Sequence, residues 1–559
     1  METWSTLYPR PLLRRESFLC LNGPWQVNGQ TVQVPYPPQS PLSGWQGEVP
    51  ETLHYSRAFT LPEGFVPQGF HVRLHFGAAD QVAQVFVNDR PAVQHEGGYL
   101  PFFADITALL RPGENTLKVE IMDALMKRYP YGKQKKEPGG MWYTPVSGLW
   151  QTVWLEAVPP HPVESIRVTP TLTSVSIRVE TEAPFCRAVI HAPEGDISAV
   201  LNAGRETEIV LPRPRLWSPE DPFLYPMTVE TAEEKVESRF ALRTVGIREV
   251  NGRRWICLND RPVFLHGVLD QGYFPEGVFL PETPEGYLKD IRAMKALGFN
   301  LLRKHIKVEP EVFYDLCDRE GMLVLQDMVN SGGYSYFFDT VLPTIGLKKR
   351  PDALFTGGDR ERKDFFMRHC LDTQRHLYNY PCVIGYTIFN EGWGQFESDR
   401  VYRALKPADP TRFYDSTSGW FAQKESDVDS EHIYFRNKVL KGRSRPLLLS
   451  ECGGYRCHIE GHHLQVGKSW GYSKPCTPEQ LTKALRELYE EMVLPSIPNG
   501  LCGCVVTQVS DVEGELNGLY TYNREVCKPD KAALLSLADR LQEALRKATE
   551  PSNPRRKPI

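Results

Sequence analysis

The chain has 559 residues, 41% of them hydrophobic and 24% charged, and 65 Lys and Arg against 69 Asp and Glu leave a net charge of −4. That length and composition leave room for several domains with sizeable cores, and disorder is not the default. Without a basic block to follow a phosphate backbone, or a run of about 18 apolar residues, neither nucleic acid nor a membrane is an expected partner.

The N-terminal segment lacks the cationic start, apolar run and small-residue cleavage site of a secretory signal. The 12 cysteines are scattered and show no zinc-finger spacing. The expectation is a cytoplasmic protein with reduced thiols, no metal and no cofactor.

Residues 1–158 alternate in short apolar/polar segments such as 69–76 and 84–88, broken by turn signals at Asn88-Asp89-Arg90-Pro91 and Arg111-Pro112-Gly113-Glu114-Asn115. Period-2 hydrophobicity between turns predicts a β jelly roll closed by a strand over 147–156. Pro159, Pro160 and Pro162 mark a linker. The shorter unit 159–245 repeats the pattern with Val175, Ile177 and Val179, then Tyr225, Met227 and Val229, which predicts an immunoglobulin-like β-sandwich.

From residue 246 to 549 apolar runs alternate with helical segments. Eight candidate strands at 263–270, 299–305, 323–328, 383–391, 412–419, 430–435, 446–453 and 501–510 predict a (β/α)8 TIM barrel. The first helix is expected to be capped by Thr283, to start on Pro284, to bury Tyr287, Ile291, Met294 and Leu297, and to end at Gly298. An insertion over 329–358 is expected at the barrel mouth, and residues 550–559 form a disordered tail.

Barrel chemistry sits at the C-terminal ends of strands. The fourth strand runs into Asn390-Glu391-Gly392 and the seventh into Ser450-Glu451-Cys452. Two carboxyls facing each other suit glycosidic cleavage: one protonates the departing oxygen and the other captures the oxocarbenium-like centre, at a separation of roughly 5–5.5 Å in retaining enzymes. Burial and negative charge are expected to keep Glu391 protonated as acid/base, and hydrogen bonds to keep Glu451 ionised as nucleophile.

With these residues in place the chain resembles glycoside hydrolase family 2, the family of β-galactosidases, β-glucuronidases and β-mannosidases. The likeness rests on Leu21-Asn22-Gly23-Pro24-Trp25, on 148–156, on 240–246 and above all on Asn390-Glu391 and Ser450-Glu451. It implies an Asn390 contact to the sugar 2-hydroxyl, a Tyr434 hydrogen bond to the nucleophile and Arg303 close to Glu451. It also implies a terminal β-sugar of a carbohydrate or glycoconjugate as substrate, with homo-oligomer formation open.

The family pattern breaks in places. His305 stands one residue earlier than the family's histidine. Asp270 and Asp327 are open between sugar ligand and ion-pair partner. No tryptophan ends the eighth strand, so Trp393 or Trp420 is the alternative sugar platform or a core residue. Near 513–520 the Asn-x-Lys of β-glucuronidases is missing and Glu513 and Glu515 add negative charge. A neutral sugar, galactose first, is therefore expected over a uronate, with Lys304 and Lys307 keeping the uronate open and a non-catalytic carbohydrate binder as the alternative class.

Overall fold

The computed structural model describes residues 2–349, 351–352, 359–462, 464, 471–472 and 476–550. The N-terminal β unit packs a six-stranded antiparallel sheet on a four-stranded one. Its alternation is plain in Glu114–Met122, where Leu117, Val119 and Ile121 face the core while Lys118 and Glu120 face water. The second unit packs a three-stranded on a four-stranded sheet, and Val175, Ile177 and Val179 of Ser174–Glu180 fill it.

A small antiparallel sheet from Val245–Val250, Arg253–Leu258 and Arg261–Pro262 leads into the barrel. The barrel strands are β1 (Leu265–Asp270), β2 (Leu301–Lys304), β3 (Leu323–Asp327), β4 (Val383–Asn390), β5 (Phe413–Ser418), β6 (Asp429–Ile433), β7 (Leu447–Gly453) and β8 (Leu501–Thr507). They pair in the order 5-4-3-2-1-8-7-6, all parallel. Between β5 and β6 the ring closes through Asp427 N–H on Tyr414 O (2.9 Å) and Ser430 Oγ on Asp415 (2.9 Å). Almost every strand residue is buried, as in a sheet covered on both faces. Among the described residues no helix is long and apolar enough to cross a membrane.

The first helix, α1 (Glu285–Ala296), corrects one expectation. Thr283 does not cap it with its side chain; its carbonyl accepts from Gly286 N–H instead (3.0 Å). Pro284 already has helical φ/ψ, so the chain enters through a backbone turn and the hydroxyl is not needed. Gly298, at φ +85°, ends the helix by donating to Lys295 O (2.9 Å).

Two excursions crown the barrel. Residues 123–147 of the N-terminal unit reach across to it, where Tyr131 N–H donates to Asn330 O (3.1 Å) and Gly332 N–H to Lys127 O (2.7 Å). The described part of the 329–358 insertion packs beside them: Trp420 Nε1 donates to Asp339 O (3.0 Å) and Phe421 N–H to Lys348 O (3.1 Å). Residues 350 and 353–358 of that insertion, and 551–559 of the tail, lie outside the described residues.

Candidate active site

Sequence adjacency already places Glu391 at a strand end; the backbone decides where it points. Just past β4 it adopts a left-handed φ of 53°, and its N–H donates to Ser418 O at the end of β5 (3.0 Å). On β7 the pairing with β6 jumps from Glu431–Leu449 to His432–Glu451, and that with β8 from Leu449–Cys504 to Cys452–Val506. The extra residue is a β-bulge, a device that re-aims a side chain at a barrel rim. Ligand atoms of Glu391, His432 and Glu451 consequently lie within 4.8 Å of one another, all three residues buried.

His432 was not singled out by the sequence, although Tyr434 two residues later on an alternating strand gave the signal. Its Nδ1 lies 2.8 Å from Glu391 Oε1 and 3.6 Å from Glu451 Oε2. Burial pushes its pKa down to about 3, so the ring is neutral. Ser418 Oγ, 3.0 Å from Nε2, spends its own proton on Ser450 Oγ (2.9 Å). Arg303 Nη1, which only donates, also meets Nε2 at 3.5 Å, so both ring nitrogens have polar partners. Burial raises the Glu391 carboxyl, against the opposing charges of Lys133, His305 and Arg303.

Glu451 has a different company. Arg303 Nη1 donates to its Oε1 (3.0 Å) and to Ser450 O (2.9 Å), while Tyr434 Oη donates to its Oε2. The same guanidinium donates to Asn390 Oδ1 (2.8 Å) and Asp327 Oδ1 (3.0 Å). Arg303 is 0% exposed. Burial opposes its charge, but Asp327 and Glu451 outweigh that and keep it cationic. Tyr472 stacks on Tyr434 with ring centroids 3.7 Å apart and planes 7° apart.

The other predicted residues divide. His305 sits beside this cluster, its Nδ1 2.8 Å from Asp327 Oδ2, and burial holds its pKa down. Asp327 is thus an ion-pair partner of Arg303 and His305. Asp270 is one too, paired with Lys304 Nζ at 2.6 Å. Lys304 also meets Glu309 (2.8 Å), and Lys307 donates to Gly272 O (2.6 Å) and Phe279 O (2.7 Å). Both lysines are buried and consumed, so neither is a spare cation for a uronate. Trp393, 2% exposed, is edge-on to Tyr131 and Trp142 and donates to Gly332 O (3.1 Å). It buttresses the excursions. Trp420 lies edge-on to His432 at 5.3 Å.

Glu513 and Glu515 tie down the first unit's excursion. Glu515 Oε2 accepts from Tyr143 Oη (2.5 Å) and Glu513 Oε1 from Thr144 N–H (2.9 Å). Burial raises both carboxyls, which weakens the repulsion of a uronate expected from the sequence. Lys133, on the same excursion, is the leading positive charge acting on Glu391 and Glu515. The Glu391–His432–Glu451 trio has the spacing to hold a cation, but each ligand atom is already spent on a neighbour in the cluster.

Known proteins share this architecture. The family models "Glycosyl hydrolases family 2, sugar binding domain", "Glycosyl hydrolases family 2" and "Glycosyl hydrolases family 2, TIM barrel domain" match residues 21–159, 163–248 and 249–441. A β-galactosidase of Aeromonas hydrophila is 26% identical over 474 residues, covering 75% of this chain and 44% of that protein. A β-glucuronidase of Rattus norvegicus is 26% identical over 443 residues, covering 70% and 64%. The match thus spans less than two thirds of these relatives' length. Solved structures of a Dictyoglomus thermophilum β-D-glucuronidase (TM-score 0.75, 18% identity, 96% of this chain and 98% of that one) and an Eisenbergiella tayi β-galacturonidase (0.68, 20%, 97% and 98%) share the fold. The chain belongs to glycoside hydrolase family 2.

Proposed function

We propose that the chain is a retaining β-glycosidase that removes a terminal, non-reducing β-linked sugar from a carbohydrate or glycoconjugate by double displacement. Glu451 attacks the anomeric carbon while Glu391 gives its proton to the departing oxygen. In the second half Glu391 takes a proton from water, whose oxygen displaces Glu451. What supports this most directly is the pair of buried carboxyls with ligand atoms within 4.8 Å, one shared with a neutral imidazole and the other with a guanidinium and a phenol. That spacing suits direct attack rather than the wider gap that admits a water. Asn390, its carbonyl fixed by Arg303, offers its amide N–H to the sugar 2-hydroxyl. His432 holds the Glu391 carboxyl in line.

A β-galactoside is the first substrate to test. A β-uronide is the second, favoured by Lys133 and by the engagement of Glu513 and Glu515. Scattered cysteines support a reducing, cytoplasmic setting, and self-association belongs to the same proposal. Nitrophenyl β-galactoside, β-glucuronide, β-galacturonide, β-mannoside and β-glucoside, assayed side by side, decide the sugar. NMR of the first product should show the β-anomer; initial release of the α-anomer rules out retention. Binding without turnover on every substrate would make the chain a carbohydrate-binding protein instead.

A further inference from the structure

Two cysteines play no part in this chemistry yet meet close to it. Cys457, in the segment after β7, and Cys476, just before the helix α2 (Pro478–Leu488), form a parallel β-bridge. Cys476 N–H donates to Arg456 O (2.9 Å) and Cys457 N–H to Leu516 O (2.9 Å), so both backbones are pinned. Bridged strands lie about 4.8 Å apart, inside the Cα separation of roughly 4.4–6.8 Å that a disulfide spans.

The two thiols differ as an attacking and a resolving thiol differ. Cys476 is half-buried and Cys457 buried. The hydrogen bond between them pushes the Cys457 thiol up and holds Cys476 below the ordinary thiol value. Lys528, whose Nζ donates to Cys457 O (2.7 Å) while paired with Asp511, adds a positive charge that favours thiolate.

Four residues before Cys476 stands Tyr472, whose N–H donates to Gly454 O (3.0 Å) and whose ring covers Tyr434, the partner of Glu451. We infer that Cys457 and Cys476 are a redox modification site, forming a reversible disulfide that fixes Tyr472 over Tyr434 and couples thiol oxidation to substrate affinity. The oxidant is a low-molecular-weight disulfide such as glutathione disulfide. Cys476 thiolate attacks one of its sulfurs and expels a glutathione thiolate. The Cys457 sulfur then attacks Cys476 and expels the second. Two electrons pass from the protein to glutathione, and the two thiol protons end on the two glutathiones.

The coupling to affinity rests on the glycosidase reading; the cross-link does not, and the two are measured separately. The full chain, incubated with glutathione disulfide, should fall from 12 titratable thiols by two, and peptide mapping should join Cys457 to Cys476. Dithiothreitol should restore both thiols. Cys476→Ser should keep all of its remaining thiols (12 − 1 = 11), and Cys457→Ser should hold one glutathione on Cys476. On the substrate found in the panel, oxidation should lower KM about threefold with kcat within twofold, and Cys476→Ser should show no change. No thiol loss, a link elsewhere, or Zn2+ that stays bound and protects both thiols overturns the site. A cross-link with unchanged KM overturns the coupling to affinity alone.

Discussion

Glu391 combines a buried carboxyl with left-handed backbone, a conformation that costs a non-glycine residue about 1 kcal/mol or more. Burial raises its folded pKa above the unfolded value, so the native state binds the proton more tightly. Its contribution to stability is present below the unfolded carboxylate pKa and is lost as pH rises through the folded one. Thermal melts should therefore show Glu391→Gln more stable relative to wild type at pH 8 than at pH 5. The same sign governs rate: the basic limb of kcat/KM should report loss of the Glu391 proton and vanish in Glu391→Ala. That variant should retain turnover only on substrates with good leaving groups, with azide restoring it. Glu451→Gln should lose on the order of 10^4-fold or more in kcat on every leaving group.

His432 acts through Glu391. His432→Phe removes the Nδ1 partner of Glu391 and should lower kcat/KM by about 10–100-fold, less than the roughly 10^2–10^4-fold of direct acid–base assistance, because the acid itself remains. It should also displace the basic limb. An unchanged pH profile would leave His432 a packing residue only.

At the scale of elements, the β7 bulge and the 123–147 excursion make the site. Without the extra residue in β7, period-2 alternation puts Glu451 on the other face of its strand. The excursion brings Lys133 and Tyr143 to the barrel mouth from more than a hundred residues upstream of β1. Lys133→Met should lower kcat/KM on a β-uronide about fivefold and leave a β-galactoside within twofold, as expected for loss of one partly exposed charge contact worth about 1 kcal/mol. Equal loss on both sugars would give Lys133 a structural role. Tyr143→Phe leaves Glu515 Oε2 without its donor while Oε1 keeps Asn517 Nδ2 (2.9 Å), a cost of about 1–3 kcal/mol, read as a raised KM if the excursion loosens.

Across the whole molecule the units are clamped by buried ions. Glu156 of the first sandwich meets Arg10 (2.6 Å) and Arg15 (3.2 Å), and Arg15 also reaches Glu234 of the second (2.7 Å). Arg243, at the exit of the second unit, donates to Pro381 O (3.1 Å) and Val383 O (3.0 Å) beneath β4. Arg243→Met strands buried carbonyls and should cost about 2–4 kcal/mol in urea denaturation. Coincident transitions by tryptophan fluorescence and by activity would show that the units unfold together.

The sequence alone determined the elements whose patterns are local. Parallel strands covered on both faces read as apolar runs, sandwich strands as alternation, and a glutamate at the end of such a run as a residue at the barrel mouth. Those signals sit within ten residues of one another, which is why Glu391 and Glu451 were legible as strand-end residues, whereas Asn390, Arg303 and Tyr434 came only with the resemblance to the family. Tertiary structure decided everything that depended on a partner distant in sequence. Asp270, Lys304 and Lys307 carry the same charges whether free or paired, and only the fold shows them neutralising one another with Glu309. His432 gains its meaning from Glu391, 41 residues away, and Glu515 from Tyr143, 372 away. Charge is written residue by residue, but the energy of a charge depends on what surrounds it, and the surroundings are assembled only by folding.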